Sequence, residues 1–188
     1  MITLTVTETD YFLPEDGQAA EQRFLDLLGH LSEVWISAFG FTLQPMFDEL
    51  KKADAAGATI HILLDHSQEV GKAEAPKVLD LVKSLRHGDV TITTAGIHSG
   101  APSQIWHWKG MVVRPTDGKD PFCWEGSVNF STSGWLQGNS ARVFRSGPWA
   151  KVFVQQFEEH RAWAIAHEPQ YQVLGAGHSG SVGRSSPI

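Results

Sequence analysis

Two short strings carry residue types that can do chemistry together. The first is "IWHWKGMVVRP", residues 105–115, where His107 and Lys109 sit two apart in an otherwise apolar run. Read as a strand, the run sends His107, Lys109, Met111 and Val113 to one face, and Trp106, Trp108, Gly110 and Val112 to the other. An imidazole beside an ammonium repels it when both are charged, which favours a neutral, nucleophilic histidine. An anion between them relieves that repulsion; a solvated sheet rim does so as well. The second string is "GSVNFSTSG", residues 126–134. Ser127 and Asn129, again two apart, can donate hydrogen bonds to phosphate oxygens. The same residues also favour turns, so each string alone leaves both readings open.

Together, His-x-Lys followed some seventeen residues later by Gly-Ser-x-Asn resembles the signature of the phospholipase D superfamily. Upstream, "FGFTLQPMFDELKKADAAGATIHILLD" resembles the family's helix that leads through a glycine into an apolar strand ending in aspartate, here Asp65. "YFLPEDG" fits the family's opening segment, and the likeness runs over roughly residues 10–165. One copy of the motif is present, as in small nuclease-like members that build one active site from two subunits.

The resemblance implies His107 as nucleophile, forming a phosphohistidine, or as general acid, with the two copies in a homodimer dividing those roles at the two-fold interface. It implies Lys109 on the non-bridging oxygens, and Ser127 and Asn129 completing a phosphate cradle, so that Lys109, Ser127 and Asn129 bind phosphate. No metal and no other cofactor is implied. Two positions depart from the family pattern. Arg114 stands where the signature has aspartate, and strand alternation turns it away from His107, toward a structural role. Asn139-Ser140-Ala141 stands where the family has Asn-x-Glu, whose carboxylate orients the histidine; Glu125, Asp117 and Asp120 are the nearby replacements. The implied function is a metal-independent phosphodiesterase, a nuclease acting on nucleic acid. The two departures motivate an alternative, a degenerate member that binds phosphodiesters or a protein partner without cleavage. A phospholipid phosphodiesterase is the third reading.

Several other residues have a functional and a plain reading. His61 and Asp65 share a strand face while His66 points away, so "HILLDH" forms no local three-ligand set and reads as edge-of-strand polar residues. His98 either lines the cleft or is exposed. Trp106, Trp108, Trp124 and Trp135 are core residues, one of which can stack on a base or a lipid chain. Cys123 reads as a small buried apolar group.

The elements that must position these residues follow from periodicity. Strands are expected at 2–7, 34–39, 58–65, 90–95 and through the long run 105–115, with further strands at "FCWEGSVNF" and "ARVFRS". Helices are expected from Ala19 to Leu31, from Pro45 to Gly57, over 74–86 and from Pro148 to His167, the last with Val152, Val154, Phe157 and Trp163 as its apolar positions. A short helical turn is expected over 130–138. Alternating strands and helices predict an α/β domain: a mixed, largely parallel sheet with helices on both faces, phospholipase D-like. Residues 1–173 form that domain and 174–188 a small, polar, disordered tail.

The chain of 188 residues is 41% hydrophobic and 19% charged, the balance of an ordinary globular protein. Its net charge of −6 argues against a surface coated in basic groups, although residues 105–150 carry a local excess of +2. No apolar run reaches the length of a membrane span. With no secretory signal at its start and a single cysteine, the chain is expected in the cytoplasm.

Overall fold

The computed structural model describes residues 8–70, 75–95, 105–169 and 171–172. The strand expected at 2–7, the loop residue His98 and the tail over 174–188 lie outside them. Seven strands, β1 (Thr9–Phe12), β2 (Leu31–Ala38), β3 (Thr59–Asp65), β4 (Gly88–Thr93), β5 (Gly110–Pro115), β6 (Phe122–Gly126) and β7 (Ser140–Arg145), form one sheet in the order β1-β7-β6-β5-β2-β3-β4. Helices α1 (Gly17–Leu28), α2 (Gln44–Ala55), α3 (Ser67–Val70), α4 (Ala75–Ser84) and α5 (Gly147–His167) complete the fold.

Each helix follows its apolar spacing. In α1, Ala20, Phe24, Leu27 and Leu28 form the buried stripe. Leu31, expected as its last turn, instead opens β2. Pro45 lies in the first turn of α2, where its missing N–H costs nothing, and Gly57 follows the helix with φ +93°. In α5 the Ser146 hydroxyl caps the start by accepting from the Trp149 amide. Its buried residues are Ala150, Phe153, Phe157 and Ala164, whereas Val152, expected to be buried, is 61% exposed. The helix turns its phenylalanine stripe, one position round from Val152, to the sheet.

The mixed α/β sheet has helices on both faces, as expected. Its balance of strand directions differs: β2-β3 and β3-β4 are parallel, and the other four pairings are antiparallel. Crossovers through α2 and α4 build the parallel half. Beyond them the turn cluster 116–121 folds β5 and β6 back as a hairpin, and an antiparallel series follows.

Alternation sorts the core into two layers. Val34, Ile36, Ile60, Ile62, Met111, Val113 and Trp124 meet α1, α2 and α4 on one face. Trp35, Leu63, Val112 and Cys123 meet Phe153 and Phe157 of α5 on the other. Because β2 and β3 run parallel while β5 runs against them, the ends of β2, β3 and β6 and the start of β5 share one end of the sheet.

Candidate active site

Both motif strings come to that shared end. The long strand expected over 105–115 starts only at Gly110, so residues 105–109 approach β5 outside the ladder. Side-chain alternation nonetheless persists through them. Trp106 packs edge-on against His160 of α5 at 4.4 Å, and Trp108 against Phe153 at 4.4 Å. His107 and Lys109 turn instead to Phe39, just past β2. The His107 ring meets the Phe39 ring at 4.9 Å, and Lys109 Nζ stands 5.3 Å from its centroid.

The His107 side chain is exposed, whereas Lys109 is 5% exposed. Lys109 Nζ donates to the His107 backbone carbonyl at 3.1 Å. Burial pushes the Lys109 pKa down, and the Asp65 carboxylate works against that shift. Asp65 is no edge-of-strand polar residue. It is 3% exposed, and its two oxygens accept from the Trp106 amide at 2.6 Å and the Ser67 amide at 2.9 Å. The Trp106 indole N–H donates to Ser37 Oγ at 2.8 Å, which anchors the segment a second time.

The second string is held by the chain that leaves β2. Phe130 N donates to Gly40 O at 2.8 Å, and Phe130 O accepts from Thr42 and Leu43 at 2.8 and 3.0 Å. A Cβ on Gly40 would stand 2.9 Å from Asn129 Cβ, so this approach requires glycine. Phe39 therefore touches the first string while Gly40 touches the second. Asn129 Oδ1 is buried with no hydrogen-bond partner among the described residues. An amide turned the other way would present Nδ2 there, a donor suited to an anion. The Ser127 hydroxyl donates to Asn139 Oδ1 at 3.0 Å and accepts from the Ser140 amide at 3.1 Å, which ties the cradle loop to β7.

The departures from the family pattern have distinct locations. Arg114 pairs with Glu33 and lies 4.7 Å over the Trp35 ring, on the α5 face and away from the His107 end. Ala141 is buried opposite Tyr11 and Gly126, a methyl in the core. Of the three carboxylates named as replacements, Asp117 and Asp120 sit in the β5–β6 turn, about 20 Å away by strand rise. Glu125 alone is at the right end, opposite Gly110, lining a cleft of ≈ 500 Å³ with Trp108, Lys109 and Arg142. Among the described residues no carboxylate bonds to the His107 ring.

The remaining candidates are structural. His61 Nδ1 lies 2.9 Å from Asp89 and its Nε2 3.4 Å from Glu33. His66 packs on Tyr171 at 4.3 Å. Trp124 and Trp135 are each 1% exposed and pack on one another and on Phe24, which leaves Trp108 as the half-buried indole at the cleft. Burial pushes the Cys123 thiol up to about 12, so it is inert. A larger cleft, ≈ 790 Å³, opens at the opposite end of β5 beside Arg23, Phe122 and Arg145, away from the two strings.

Sequence reasoning passed over Phe39 and Gly40 and misplaced Asp65. The one signal was Asp65 itself, an acid closing the apolar run "HILLD" that a buried strand would not otherwise keep.

A family model described as "Cardiolipin synthase, PLD-like domain" matches residues 26–163. The chain belongs to the PLD-like domain family. Membership supports phosphodiesterase-type chemistry at the level of the superfamily. Solved structures with the same PLD-like fold include NucT from Helicobacter pylori, at 14% identity and TM-score 0.70, over 82% of this chain and 94% of that one. The phospholipase D family member Nuc from Salmonella typhimurium matches at 18% identity and TM-score 0.66, over 82% and 93%. TrmBL2, an archaeal chromatin protein whose structure shows a novel mode of DNA binding, matches at 12% identity and TM-score 0.56, over 85% and 54%. No curated protein sequence matches significantly.

Proposed function

We propose that this PLD-like protein is a metal-independent phosphodiesterase acting on nucleic acid, with His107 as its nucleophile. The observation that carries the reading is the convergence of His107, Lys109 and Asn129 on Phe39 and Gly40 at one end of the sheet. A ring nitrogen of His107 attacks phosphorus, and the bond from phosphorus to the leaving oxygen breaks. The His107 of a second copy gives that oxygen its proton, then takes one from the water that hydrolyses the phosphohistidine. Lys109 offsets the charge that gathers on the non-bridging oxygens, and Ser127 and Asn129 hold them. The active unit is a homodimer, because one chain carries one copy of the His-x-Lys motif. Phe12, paired with Ser140 across β1 and β7, and Leu136, three residues before Asn139, are 65% and 71% exposed and leave apolar surface beside the cradle for the second copy to cover. DNA binding by TrmBL2 supports nucleic acid as the substrate, and the single buried cysteine suits the cytoplasm.

The test is cleavage of single- and double-stranded DNA, RNA and phosphatidylcholine vesicles, with and without chelator, by wild type and His107→Ala. The expected result is nucleic-acid cleavage that survives chelator, disappears with His107, and yields an acid-labile phosphohistidine on rapid quench. Full activity in His107→Ala overturns it.

A second reading, binding without cleavage, is favoured by the missing carboxylate at the His107 ring. An imidazole free to take either tautomer loses orders of magnitude in rate when its orienting acid is absent. Tight oligonucleotide binding with no turnover and no trapped phosphohistidine would select it.

A further inference from the structure

An ammonium taken out of water turns to its neutral form unless an anion stands near. The partners seen so far for Lys109 are a backbone carbonyl and the Phe39 ring, and neither is an anion. Among the described residues the buried acids are Asp54, Asp65 and Glu168. Asp54 accepts the amides of Arg86 and His87, and Glu168 accepts from Thr94. Asp65 stands at the end of β3 that the His-x-Lys segment also reaches.

We propose that Asp65 is the positioning residue of this segment, fixing where His107 stands through the Trp106 amide and keeping the buried Lys109 ammonium charged for phosphate. The inference rests on the phosphodiester reading of the site. Two observations carry it. The carboxylate grips the residue immediately before His107 at 2.6 Å, and it grips Ser67 with its other oxygen, so it is held rather than free to turn. Its charge is also the one that opposes the desolvation of Lys109. Glu125, Asp10 and Arg142 line the cleft beside Lys109, and His107 is two residues away. Arg142 is already paired with Glu8 and Asp10, and Glu125 is only half-buried, so its charge is partly screened by water. With arginine at 114 and alanine at 141, the strand end of β3 supplies the buried acid here.

The experiment follows the Lys109 titration by NMR in wild type and Asp65→Asn, alongside affinity for a fluorescent single-stranded oligonucleotide as a function of pH. In Asp65→Asn the Lys109 midpoint falls by about one unit or more. The alkaline limb of oligonucleotide binding moves down with it, a shift that damage to the segment alone would not produce. In a Lys109→Met background, Asp65→Asn brings no further change in the pH profile. An unmoved Lys109 midpoint in folded Asp65→Asn overturns the inference. If Asp65→Asn does not fold, the Trp106 amide that donates to Asp65 is followed in wild type by hydrogen exchange. Slow exchange is expected, and exchange at the rate of an open chain overturns the inference. Neither measurement needs turnover. Coupling in a protein that cleaves nothing defeats the phosphodiesterase reading and leaves Asp65 in place; cleavage with no coupling does the reverse.

Discussion

At Lys109 the proposed phosphate-binding role is set against stability within one side chain. Its pKa is lowered in the fold, so between that value and the unfolded 10.5 the unfolded chain binds more protons and stability rises with pH. Below the folded value the cost of burying the charge is present in full. Lys109→Met, of similar length and no charge, is therefore expected to weaken oligonucleotide binding without abolishing it, while leaving stability at neutral pH equal or higher. Urea unfolding at pH 7 and pH 10 checks this, with the gap between variant and wild type shrinking at the higher pH. Arg114 is the opposite case. It stands at a signature position yet pairs with Glu33 and covers Trp35, so its contribution is to the α5 face of the sheet. Arg114→Ala is expected to cost about 1 kcal/mol or less in stability and nothing in phosphodiester affinity or turnover. A loss of turnover without a loss of stability would place Arg114 in the site after all.

At the scale of elements, two junctions decide whether the motif strings meet. The first is the Gly40 turn after β2. Gly40→Ala pushes a methyl against Asn129 and is expected to cost about 1–3 kcal/mol, with a larger relative loss of oligonucleotide affinity than of stability. Denaturation and binding measured on the same preparation would show the difference. The second junction fastens α5 across the sheet. Arg114, Glu33, His61 and Asp89 make a cross-strand row from β5 to β4, and α5 adds Glu158 and Arg161, with Arg161 Nε 2.9 Å from Asp89. Trp35 Nε1 donates to Glu158 at 3.2 Å from beneath. Carboxylates only accept, so a His61 ring set between two of them satisfies both when doubly protonated. The row is then neutral, three cations against three anions. Burial lowers the His61 pKa, but the hydrogen bond and charge of Asp89, with Glu158, raise it further, for a net upward shift. The sign follows: this stabilisation is complete below pH 6.5 and is lost as pH rises through the higher folded value. The unfolding free energy of wild type should fall over that window, and His61→Gln should flatten the slope. A wild-type curve already flat there would show that His61 does not titrate with folding.

The molecule as a whole brings both motif strings to one end of its sheet. A net charge of −6 means that any nucleic acid is held by a few local cations. The salt slope of oligonucleotide binding is therefore expected to be shallow, of two or three phosphates rather than six or more. Sedimentation should show a dimer, and Phe12→Ser with Leu136→Ser should weaken it by removing apolar surface beside the cradle. A wild type that remains a monomer together with full cleavage would leave the two-histidine mechanism without its second acid.

Much of this was legible before any fold was known. The apolar periods of α1, α2 and the parallel strands record burial, and burial repeats along the chain at a spacing that the chain itself displays. The pairing of His107-x-Lys109 with Ser127-x-Asn129 was legible as a family pattern, because residues two apart in extended chain share a face. The chain alone also turned Arg114 away from His107, through the two-residue period of a strand. The tertiary structure decided what depends on contacts between distant segments. It set the antiparallel half of the sheet, the start of β5 at Gly110, the meeting of both strings on Phe39 and Gly40, and the burial of Asp65 against the Trp106 amide. Strand order and strand ends are settled by which segments bury each other, and an acid at the end of an apolar run reads the same whether water or a backbone amide receives it.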